Sequence, residues 1–104
     1  MGNHAVCFDN LPWDSTGTGV RSKTFVDGNR RVRMVEFSEG FEEDGWCTKG
    51  HEGIVLEGAF SVDFNGKVES FQAGDIIHIQ DGEADKHRAI LAPGEKVLIV
   101  FFEG

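Results

Sequence analysis

The chain has 104 residues, enough for one domain with a modest core and too few for two. Nine Phe and two Trp supply the apolar volume to fold, which speaks against disorder. The formal charge of −8, with acids spread along the sequence, speaks against a nucleic-acid or anionic-membrane partner, because both need a basic surface.

Residues 1–20 carry Val6, Phe8, Leu11 and Trp13 but close on a Ser/Thr/Gly stretch. They read as an arm or loop ahead of a domain at 21–104, packed on a sheet, packed on a partner subunit, or partly ordered. RSKTFV (21–26) and RRVRMVEF (30–37) flank Asp27-Gly28-Asn29, a connection of hairpin type. GIVLEGAFSVDF (53–64) is rich in branched and aromatic residues, and Asn65-Gly66 offers a tight turn before KVESFQ (67–72). Ala73-Gly74-Asp75 breaks the chain, DIIHIQ (75–80) reads as a short buried strand, and HRAILA (87–92) follows. Pro93-Gly94 makes another turn before EKVLIVFFE (95–103), the most apolar strand. No stretch has helical periodicity, so the expected class is all-β, a sandwich or small barrel with few or no helices.

The chain has no signal peptide and no long apolar segment, and Cys7 and Cys47 are too few for a disulfide framework. The expectation is a reduced, cytoplasmic protein. Met1-Gly2 begins like a myristoylation signal, but Val6 stands where Ser or Thr is required.

The order IVLEG, Asn-Gly turn, AGDIIHI, QDG resembles the cupin family across roughly residues 30–102. The resemblance implies a jelly-roll barrel, the double-stranded β-helix of cupins. With Gly58 as the glycine that closes the first cupin motif, the family's two histidines and glutamate fall on Gly45, Cys47 and His51. The second motif, started at Gly74, puts the family's histidine on Asp85 with His87 close by, and its asparagine on Ala89. The implied metal ligands are thus Cys47, His51, Asp85 and His87. A second register takes His51 and Gly53 as the histidine pair and Glu57 as the acid, but leaves Gly58 without a role. The first suits the whole segment better.

Residues four apart in a continuous strand lie about 13 Å apart, so Cys47 and His51 meet only if the chain bends. Gly50 is placed for such a bend. Asp85 and His87 face the same side if they lie on a strand. Such a set of sulfur, nitrogen and oxygen donors suits a divalent metal: zinc, iron, manganese or nickel. Plainer readings exist: Cys47 as a small buried hydrophobe, Asp85 as a solvated acid, His87 as a surface residue. His78 faces either the lumen or solvent, and Trp46 alternates away from Cys47, toward the barrel mouth or a dimer contact. Cys47, His51 and Asp85 are also the residue types of a nucleophilic triad, although no helix N-terminus stands near the cysteine.

The resemblance implies a small-molecule ligand inside the barrel and a homodimer. One reading is a metal-dependent dioxygenase, isomerase or decarboxylase. The other is a metal-free, non-catalytic module that binds a sugar or organic acid or acts in regulation.

Overall fold

The computed structural model describes residues 4–103. Eight strands form: β1 (Asp14–Gly17), β2 (Val20–Asp27), β3 (Arg30–Ser38), β4 (His51–Phe64), β5 (Lys67–Gln72), β6 (Ile76–Ile79), β7 (Arg88–Ile90) and β8 (Lys96–Glu103). Single 3-10 turns occur at Phe8–Asn10 and Glu83–Asp85. No helix among the described residues is long and apolar enough to cross a membrane.

Turn chemistry sets the strand ends. Asn65 and Gly66 both have positive φ (56° and 104°), as a two-residue hairpin turn demands, and the Asp63 carboxylate accepts the Gly66 N–H at 2.7 Å. The Ser/Thr/Gly stretch expected to be a loop is instead a hairpin. Ser15 pairs with Arg21, Asp14 with Ser22, and Val20 already belongs to β2. The arm proper therefore ends at Trp13, and it packs on its own sheet. Its Phe8 carbonyl accepts a 2.8 Å hydrogen bond from the Lys23 ammonium, and the Trp13 ring lies 4.1 Å from the Arg21 guanidinium carbon. The Phe8 carbonyl and the Trp13 ring, 4.9 Å from the ammonium, keep Lys23 partnered although it is only 8% exposed.

The strands run β1-β2-β3-β8-β4 across one curled antiparallel sheet, with β6 on the far side of β4. Strand β4 then continues into a second sheet, where its later residues pair with β5 and β7. The transition lies at a register shift between Val55 and Glu57, followed by Gly58 at φ +79°. A side chain at Gly58 would collide with the Lys96 carbonyl oxygen, so β4 bends there against β8 with no atoms to spare. On β8, Val97, Ile99 and Phe101 are buried in the core; on the other face Val100 is also buried, whereas Phe102 is 56% exposed. Val35, Val55, Phe60, Val62, Ile77 and Ile79 complete the core between the sheets.

The open end of β8 is closed by charge. Arg33 grips Glu103 through two 2.8 Å hydrogen bonds, and Arg31 adds a third at 2.7 Å. Burial alone would push the Glu103 carboxyl up, but the hydrogen bonds and positive charges of Arg33 and Arg31 outweigh it and hold the group below its ordinary pKa. The resulting stabilisation is complete above the ordinary glutamate pKa and is lost as pH falls through the lower folded value. Glu103→Gln should cost about 1–3 kcal/mol at neutral pH and flatten this acid-range loss. Urea midpoints of the two proteins measured from neutral pH downward test this; parallel curves would contradict it.

Candidate metal centre

Cys47 and His87 join two distant parts of the chain. They form an isolated antiparallel bridge, with Cys47 N–H donating to the His87 carbonyl at 2.8 Å and His87 N–H to the Cys47 carbonyl at 2.9 Å. Directly opposed residues of this kind present their side chains on the same face. The chain next passes Gly50, where a Cβ would strike the Ile79 carbonyl, and the Gly50 N–H donates to the Asp81 carboxylate. It enters β4 at His51, opposite Ile79 of β6. His51 thereby returns to Cys47, with 4.0 Å between Nε2 and Sγ.

Donor atoms of Cys47, His51 and His87 lie within 4.8 Å of one another. The two imidazoles meet nearly edge to face, 5.2 Å between centroids, flanked by Phe101 beside His51 and Phe64 beside His87. His87 is only 4% exposed. Its Nδ1 lies 2.9 Å from the Asp85 carbonyl oxygen, which can only accept, so Nδ1 carries the proton and Nε2 keeps a lone pair. That Nε2 is buried without a hydrogen-bond partner, as is Nδ1 of His51. Burial, then the charge of His87, lowers the His51 pKa, so its imidazole is neutral near neutral pH, the form that offers a lone pair. Two unpartnered buried ring nitrogens in a cluster with a thiol are compatible with a divalent metal ion. One sulfur and two nitrogens are a zinc-type set that leaves a coordination position open.

The other candidates lie elsewhere. Asp85 sits in the 3-10 turn, so the strand alternation that would aim it beside His87 does not apply. Its carbonyl orients His87, while the residue lines a separate groove with His78. With Asp85 outside the cluster, the acid of a Cys-His-Asp triad is lacking there. His78 faces outward, 2.9 Å from Glu52 across β6 and β4, while Ile77 and Ile79 point into the core. Trp46 also faces out, with the Arg88 guanidinium 4.6 Å from its ring. Glu57 is exposed at the bulge and lies outside the cavity lining, so of the register built on it only His51 reaches the cavity.

His51 and His87 open onto a cavity of about 840 Å³ between the sheets. Its wall includes Arg33, Phe41 and Glu43, which sequence reasoning did not single out. Arg33 shares the face of Val35 and Phe37 by simple alternation on β3, a signal that was available. Glu43 accepts the Ala89 N–H at 2.9 Å and so ties the loop after β3 to β7; nothing local in the sequence marks it.

Several solved structures share this architecture. The polyketide cyclase RemF from Streptomyces resistomycificus superposes with a TM-score of 0.80 at 18% identity, covering 98% of this chain and 79% of that one. An RmlC-like cupin from Shewanella frigidimarina gives 0.72 at 19% identity, over 99% of this chain and 93% of its own. KdgF from a Halomonas species gives 0.67 at 22% identity, over 92% and 91%. No family model and no curated protein matches the chain. With its shared bent strand, its two curled sheets and these structural neighbours, the chain is a small barrel of the cupin fold.

Proposed function

We propose that this barrel binds a small molecule beside a divalent metal, zinc by its donor set, held on Cys47, His51 and His87. The observation that carries the reading is the convergence of Cys47, His51 and His87, where His87 Nε2 and His51 Nδ1 are buried without partners and His51 Nε2 faces the Cys47 sulfur at 4.0 Å. When bound, such a metal supplies Lewis acidity toward an oxygen of the ligand. The chain's own residues do the rest. The Asp85 carbonyl fixes the His87 tautomer, Phe64 and Phe101 shield the imidazoles from water, and Glu43 holds the loop after β3 against β7.

Elemental mass spectrometry on protein purified without a nickel column tests the reading. Near-stoichiometric zinc in the native chain and its loss in a His51→Ala, His87→Ala double variant are the expected results. Folded protein that arrives metal-free and takes up neither zinc, iron, manganese nor nickel would overturn it. The second reading, a metal-free binding module, draws support from the cavity's largely apolar wall. Ligand binding unchanged by a chelator would favour it.

A further inference from the structure

The cavity wall carries more information than the metal ligands do. Phe41, Phe37 and Phe60 form a continuous aromatic run, with centroids 4.6 Å apart for the first pair and 6.3 Å for the second, whose planes lie within 19°. Phe101 adds a fourth ring on β8. The hydroxyls of Thr16, Thr18 and Ser22 all come from one quarter, the β1–β2 hairpin.

Charge narrows the ligand further. Arg33 is the only Lys or Arg among the described lining residues, and two of its nitrogens are already bonded to Glu103. Glu42 and Glu43 also line the cavity, and neither has an ion-pair partner there among the described residues. An organic acid entering this space would shed water without gaining a free cation from the protein, and would face two carboxylates. A sugar would find partners at Thr16, Thr18, Ser22, Glu42 and Glu43, but its remaining hydroxyls would lie against the phenylalanine run. Flat aromatic rings, by contrast, match the phenylalanine run by offset and edge-to-face packing.

We infer that the cavity takes a neutral aromatic compound of fused-ring size, with one hydroxyl or carbonyl directed at His51 and His87. This rests on the reading of the cavity as the ligand site, and it departs from the sugar or organic acid named in the metal-free alternative. A volume of about 840 Å³ lies within the range of small-molecule sites.

Titration calorimetry with naphthol, naphthoate, decalol, glucose and citrate tests the inference, on both chelator-treated and zinc-loaded protein. On the chelator-treated protein, naphthol should bind at least about tenfold more tightly than naphthoate, whose charge would there be buried unpaired. It should also bind more tightly than the saturated decalol, and glucose and citrate should give no heat at millimolar concentration. Phe41→Ala, at a half-buried rim position, should weaken naphthol about fivefold. Glu42→Gln, at an exposed position, should narrow the gap between naphthol and naphthoate, whatever Phe41→Ala does to the fold. On the chelator-treated protein, naphthoate, decalol, citrate or glucose binding as tightly as naphthol would overturn the inference, as would naphthol failing to bind either form. Naphthol bound by protein that takes up no metal would support the inference while refuting the metal centre. Zinc bound by protein that ignores naphthol would do the reverse.

Discussion

Gly58→Ala should be among the most damaging single substitutions in this chain, lowering stability by about 3 kcal/mol or more. Two costs add. Any other residue at φ +79° gives up about 1–2 kcal/mol to left-handed strain. The new methyl also drives into the Lys96 carbonyl, a backbone atom that cannot rotate away. Gly74→Ala separates the two costs, because Gly74 has a similar φ of +95° but nothing within 4 Å of its missing side chain. It should lose only the backbone component, about 1–2 kcal/mol. Urea unfolding of both variants gives the comparison directly. Equal losses would mean that the contact with β8 is dispensable and that φ alone selects glycine at the bend.

The second large effect is on thermal stability. A ligand that binds only the folded chain stabilises it by about 4 kcal/mol at a thousand times its dissociation constant. For a domain of this size that raises the melting midpoint on the order of 20 °C. Zinc at such an excess over the chelator-stripped protein should produce a shift of this order, and magnesium should not, since it prefers oxygen ligands. Cys47→Ser should keep part of the shift, and His51→Ala with His87→Ala should abolish it. An equal shift in the double variant would locate zinc elsewhere, on exposed acids, and would remove the basis for the centre.

Much of the barrel was legible in the sequence because its strands are punctuated locally. Asn65-Gly66 marks the β4–β5 hairpin by φ requirement alone, and β5 lies at the expected residues 67–72. The β1–β2 hairpin escaped because a Ser/Thr/Gly stretch reads as linker. What makes it a strand is pairing with β2, a tertiary fact. The site divides in the same way. Cys47, His51 and His87 stood out by residue type, but their meeting depends on the bridge between Cys47 and His87, a contact no local pattern encodes. Asp85 was included because the second cupin motif falls on it, and the strand alternation that would aim it beside His87 is interrupted by the 3-10 turn at Glu83–Asp85. Arg33 passed unnoticed since arginine on a strand suggests a solvent-facing position. Its partner Glu103 is 70 residues further along the chain.

The strand shared by both sheets has a dynamic consequence. Because β4 leaves one sheet and enters the other without a loop, the two walls of the cavity hang from one continuous piece of backbone. The two ladders use successive stretches of that strand, 51–58 and 59–64, so full opening of the cavity requires both to be lost. A molecule lodged between the walls is thus coupled to the opening of the whole domain. Occupancy of the cavity therefore slows amide exchange wherever exchange waits on that full opening, including at residues that never touch the guest.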